Sequence, residues 1–471
     1  MNPQPILSIV ARSAPPSAPR ELSRTGILAV SDVTDAARWL GSSADPAARQ
    51  RTWLACLIAL TALFVLGNIA NYARLDLNYG WDLHVNCAAV GAHTAGLDPY
   101  FVGNLKVTTL SYPYLPVTLD VFRPFCAGGF LAGHYMGVYF ALAVLCGLLL
   151  PGLGRRRTRA RDVALRVLCA LGAFVGFEWV HVSGNFAILS GVLTTIALML
   201  LLRAAAGGAS EDQSFALRLG GAALLGVVAS FKLVFFPVLA ALYFLPLSRG
   251  RKLMLIAVAA FCFAVPILIS RMLYPDLFAS WLLAIAGQIP NQHAVNLVEV
   301  NPSLLLLAQS LMDHAGIDAR PAVFATYALA ALALVLIPFA LSVLRVAASQ
   351  PVREGGSPPL QLDRWLMDHP RAAMRITVLA MFALYLSSPR LKEYAFFELA
   401  LYAAILVVDL PARALAAVLT VGLLIPALIS LAGTELEGTF ILLIVALMSF
   451  WILLLDFRAE PKRLEMEGAQ P

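Results

Sequence analysis

Apolar runs of about 20 residues recur along most of this chain, and a run of that length matches the hydrocarbon thickness of a bilayer. The clearest cover 53–72, 131–150, 184–203, 253–272, 322–343, 414–431 and 438–456. Shorter or less uniform ones cover 165–181, 218–232, 233–248, 374–388 and 395–409. Together they predict about twelve transmembrane helices, an all-α polytopic fold, and both termini on one side of the membrane. Helix is the expected answer because backbone polar groups in lipid must be satisfied within the protein.

Composition narrows the class further. The chain is 60% hydrophobic and 13% charged, against about 25% charged residues in soluble domains. No stretch is long and polar enough to make a separate soluble domain. Residues 1–50 are rich in Pro, Ser, Ala and Arg and lack the layout of a cleaved signal, so they read as a cytoplasmic, largely disordered tail. A transmembrane domain over 51–457 and a short cytoplasmic tail over 458–471 complete the organisation.

Orientation follows from Lys and Arg, which are retained in the cytoplasm. With both termini inside, 26 of the 34 lie on inner segments, including the Arg155-Arg156-Arg157 run. The others are Arg74, Lys106, Arg123, Lys232, Arg271, Arg320, Arg390 and Lys392. This sorting accounts for the net charge of +6 without nucleic acid. It also demotes 114–128 from a span to a lip or re-entrant helix. Two outer loops are then long, 73–130 and 273–321. Cys87 and Cys126 both fall in the first. There a disulfide is chemically allowed, and small buried residues are the plainer alternative.

Several residues can carry chemistry. Asp82 opens a helical pattern just past the first span, as a helix cap or as a carboxylate able to take a proton from a bound hydroxyl. Asp98 and Pro99 mark a turn. Tyr112 and Tyr114 suit the membrane interface or a stacked sugar. Lys232, between two short apolar runs, either snorkels to headgroups or faces a phosphate. The turn Ser387–Tyr394 supplies Arg390 and Lys392 beside Glu393, as solvated charge or as part of a site. Glu178 and His181 share a helix face, as a polar plug or as pocket residues. Neither a zinc-type His-Glu-x-x-His nor a Gly-rich phosphate loop is present, and the residues do not call for a metal or other cofactor.

In this order, the motifs resemble the GT-C superfamily of membrane glycosyltransferases, and glycosyltransferase family 87 in particular. The similarity rests on Asp82, Ala88, Ala89, Gly96, Pro99 and Tyr100, then on Tyr112, Pro113 and Pro116. It continues through Gly184-Asn185, Lys232 with Pro237, Asn301-Pro302-Ser303, and Ser388-Pro389 with Tyr394. His84 and Asn86 stand where that family commonly has tyrosines. The resemblance implies a polyprenyl-phosphate-sugar donor, with mannose favoured, and a glycolipid or glycan acceptor. It implies Asp82 as general base, Lys232 on the donor phosphate, and Arg390 and Lys392 along the donor side. His84, Asn86, Tyr112, Glu178, His181, Asn185, Asn301 and Tyr394 complete the candidate substrate-binding set. The implied location is a bacterial inner membrane, with the site facing outside or the periplasm. Two rival readings are a transporter or flippase of a lipid-linked sugar, and a non-catalytic partner in envelope assembly.

Overall fold

The computed structural model describes residues 46–74, 79–106, 108–153, 159–202, 211–289, 302–317, 319–348, 358–433 and 439–468. The tail 1–45, the Arg155-Arg156-Arg157 run and Asn301 lie outside the described residues. The chain divides at Trp53, and the whole candidate site belongs to the unit Leu54–Pro471.

Among the described residues every regular element is helical. Seven helices of the described residues are long and apolar enough to cross a membrane: Ala48–Asn71, Ala160–Ser183, Gln213–Ser230, Arg249–Leu273, Arg320–Ala348, Ala412–Leu431 and Ile441–Ala459. Shorter apolar helices, including Gly133–Leu149, Ala187–Leu202 and Leu233–Phe244, pack against them. Leu233–Phe244 winds as a 3-10 helix of 12 residues around Pro237. At a rise of about 2.0 Å per residue such a segment covers about 24 Å, where an α-helix would cover about 18 Å.

Two helices form the centre of the unit. All eleven residues of Phe396–Leu406 are buried, as are most of those in Pro370–Leu386. Both are apolar on nearly every face, and a helix of that kind must be surrounded by others. The turn joining them, residues 387–395, carries Arg390, Lys392 and Tyr394. Near the other end of Pro370–Leu386, Arg371 pairs with Asp409 at 2.9 Å and Arg375 with Asp456 at 3.0 Å. A further buried pair joins Lys252 to Asp363 at 2.8 Å. Lys232, Arg390 and Lys392 belong to none of these three pairs.

The span Ala160–Ser183 is kinked. Phe174 and Val175 have φ of 57° and 51°, a left-handed conformation that a β-branched residue resists, costing on the order of 1–3 kcal/mol each. The kink is held by backbone proximity. A methyl group on Gly176 would collide with the main chain of Phe396 and Phe397. We expect Gly176→Ala to destabilise the protein by about 3 kcal/mol through overpacking, seen as a lower thermal midpoint. Gly67→Ala, whose methyl would meet nothing within 4 Å, is the control. Equal midpoints for the two variants would discount the close approach.

Candidate active site

The site is built where the kinked span ends. Gly80 and Gly184 both adopt positive φ, 81° and 67°, and the Gly80 N–H donates to the Val182 carbonyl at 2.8 Å. A side chain on Gly184 would press on Gly80 and Leu83 at 3.0 Å. Two glycines thus let the start of helix Trp81–Thr94 sit directly on the end of helix Gly176–Ser183. Tyr139 donates its hydroxyl to the Gly184 carbonyl at 3.1 Å and fixes the same corner.

Asn185 follows, and its amide makes two contacts of opposite polarity. Its Oδ1 accepts from the Ala187 N–H at 2.7 Å, at the start of helix Ala187–Leu202. Its Nδ2 donates to Asp82 Oδ2, also at 2.7 Å. The first bond sets which way the amide faces, so the second is aimed. Asp82 itself is not a helix cap. Gly80 occupies that position without a side-chain bond, and Asp82 is the second helical residue. The physical reason is the left-handed Gly80, which takes the cap position two residues before Asp82.

The Asp82 carboxylate lies on the wall of a polar cavity of about 560 Å³. Asn86, Tyr114, Asn185, Arg390, Lys392 and Tyr394 line it as well. Burial pushes the Asp82 carboxyl above the usual carboxylate range, against the opposing pull of the Asn185 bond and the Lys392 charge. Asn86 Oδ1 is buried without a hydrogen-bond partner, leaving an acceptor on the cavity wall.

Two apolar cavities, of about 860 and 920 Å³, adjoin this one. Tyr114 and Tyr394 line all three, and Lys232 lines both apolar ones. The Lys232 ammonium stands 3.8 Å from the centre of the Tyr394 ring. That is a cation–π contact, and it aims the lysine inward instead of along the span to headgroups. Arg390 and Lys392 border the polar cavity and the second apolar one. The polar cavity thus carries the Asp82 carboxylate, Arg390 and Lys392, and Lys232 stands on the two apolar extensions.

No protein family, curated protein or solved structure matches this chain.

Other sequence candidates fall elsewhere. Tyr112 is fully buried, bonded through its hydroxyl to Thr118, and packed between Tyr100 and Tyr114. It supports the wall from behind, whereas Tyr114 faces the cavities. His84 is exposed and lines none of the three cavities. Glu178 sits deeper, hydrogen-bonded to Asn68 and to Ser430, the latter at 2.8 Å. His181 packs on Phe177 at 5.4 Å between ring centres. Neither Glu178 nor His181 lines these cavities.

Asp98 accepts from the Tyr100 N–H at 2.9 Å, which makes it a turn residue. The lip 114–128 is a short helix, Thr118–Cys126. Its Cys126 is bonded to Cys87 of helix Trp81–Thr94, with the Cα atoms 5.3 Å apart. Sequence reasoning missed Glu398, which lines the first apolar cavity. A carboxylate in the middle of Phe396-Phe397-Glu398-Leu399 was its visible signal, since a charge inside an apolar helix needs a partner or a cavity.

Proposed function

We propose that this protein is a membrane glycosyltransferase of the GT-C kind, resembling family 87. On this reading it moves a sugar, mannose favoured, from a polyprenyl-phosphate donor to a hydroxyl of a glycolipid or glycan. The observation that carries the reading is the pairing of an aimed, half-buried carboxylate, Asp82, with Lys232, Arg390 and Lys392 around cavities that turn apolar on either side. A phosphate tied to a hydrocarbon chain needs cations beside an apolar channel, and an acceptor hydroxyl needs a base.

The step is a single displacement. Asp82 takes the proton of the acceptor hydroxyl as its oxygen attacks the anomeric carbon, and the bond to the donor phosphate breaks with inversion. Negative charge develops on the leaving phosphate, where the fixed cations stabilise it. The reading includes about twelve spans, cytoplasmic termini and a site on the far side of a bacterial inner membrane. The Cys87–Cys126 bond supports that sidedness, because such bonds persist in oxidising compartments.

The test is transfer by the purified full-length protein from polyprenyl-phospho-mannose and other polyprenyl-phospho-sugars. Transfer only from nucleotide sugars, or none at all, would overturn the proposal. The pH profile gives a second check. A base works only when ionised, so activity falls as pH drops through the Asp82 pKa. Burial raises that pKa, so the acid limb of kcat/KM should lie above the ordinary carboxylate value of about 4. Removing the Asn185 bond, which favours the ionised form, should move the limb higher still in Asn185→Ala. A limb that stays put or moves down would show that Asp82 is not the titrating base.

A further inference from the structure

The charges that line the three cavities are Asp82, Lys232, Arg390, Lys392 and Glu398. The glycosyl transfer proposed above uses the first four and leaves Glu398 without a task. Glu398 is buried. Its Oε1 accepts from the Ser190 hydroxyl at 2.5 Å, and its carboxylate also holds the Tyr385 hydroxyl. Tyr385 in turn is stacked on Phe235, three residues after Lys232, with ring centres 3.9 Å apart. Lys232 keeps its ammonium on the Tyr394 ring. Lys232 and Glu398 line the same apolar cavity. The hydroxyls hold the carboxylate in place on the cavity wall.

A fixed charge there matters because transfer changes the charge of the lipid phosphate. The donor is a phosphodiester with one negative charge. When the anomeric carbon–oxygen bond breaks, its electron pair stays on the phosphate, giving a monoester dianion. The acceptor proton passes to Asp82, so the total charge in the site does not change during the step. Asp82 then releases its proton to solvent. Before transfer, three cations face Asp82, Glu398 and a monoanion, and the charges balance. After it, the same cations face both carboxylates and a dianion, leaving one negative charge in excess.

We propose that Glu398 is a specificity residue that lowers the cavity's affinity for the doubly charged lipid phosphate product more than for the singly charged donor. This rests on the phosphate reading of the site. Its signature is a ratio, the affinity for a long-chain alkyl phosphate monoester divided by that for a dialkyl phosphate. Both can be measured by calorimetry on the full-length protein in nanodiscs. In Glu398→Gln the ratio should rise about tenfold at pH 8, since a fixed negative charge acts on a dianion twice as strongly as on a monoanion. Glu398→Asp keeps the charge and should keep the wild-type ratio. In turnover, Glu398→Gln should become more sensitive to inhibition by the monoester.

The pH dependence of that effect supplies a second arm. A phosphate monoester gains its second charge near pH 6, so Glu398→Gln should leave the ratio almost unchanged at pH 5 and raise it at pH 8. Asp82, Lys232, Arg390 and Lys392 are common to both proteins, so their influence cancels when variant and wild type are compared at one pH. A ratio unmoved by Glu398→Gln at pH 8, or raised equally at pH 5, would overturn the role of Glu398. If Lys232→Met left both affinities unchanged, the phosphate reading itself would fall instead.

Discussion

Replacing Asp82 by asparagine should lower sugar transfer by about a thousandfold, within the range that a positioned general base contributes. The substitution is close to isosteric. The amide oxygen introduced there can still accept from Asn185 Nδ2, which now bonds Asp82 at 2.7 Å. Folding should therefore persist, with an unchanged thermal midpoint, and donor affinity should change little because the cations are untouched. Only the ability to take a proton is lost. Activity within a few-fold of wild type would eliminate Asp82 as the base. If the variant and the wild type moved a lipid-linked sugar across vesicles equally well without transferring it, the transporter reading would gain.

Replacing Lys232 by methionine should raise the donor KM by about 10–100-fold, the equivalent of a lost charge-assisted bond to phosphate. The acceptor KM should remain near its wild-type value. Methionine keeps most of the stem and gives up only the ammonium and its cation–π contact with Tyr394, so packing is largely preserved. Removing a cation from an apolar wall also removes its desolvation cost, and the variant should be no less stable than the parent. That separates a site role from a structural one. Equal losses for donor and acceptor would sink the phosphate assignment, as would a large fall in thermal midpoint.

The apolar periodicity made the helical membrane class legible, because span length is set by lipid and not by neighbouring chain. Asp82 was legible as a residue type in a suggestive place. Its partner was not, since Asn185 lies 103 residues away and meets it only through the Gly80–Gly184 approach. The aromatic run at 112–114 was visible, but which ring faces inward depends on the helix Thr118–Cys126 behind it. Tyr112 went into the support and Tyr114 into the cavity wall. Lys232 illustrates the same limit. Its cost in an apolar setting was plain from sequence, while its ring partner Tyr394 belongs to a turn 162 residues later. The kink at Phe174–Val175 had no sequence signal at all. Two residues in left-handed geometry without glycine are imposed by the packing of Gly176 on Phe396–Phe397.

The bond between Cys87 and Cys126 has a consequence for how the protein matures. It joins the helix bearing Asp82 to the helix that backs Tyr114 across a separation of 39 residues. A newly inserted chain still in its thiol form has all its spans but has not yet clamped the wall of its site. Competence is then acquired in two stages, insertion first and oxidation second. The yield of working protein should follow the oxidising capacity of the host that makes it, even where the amount of inserted chain does not.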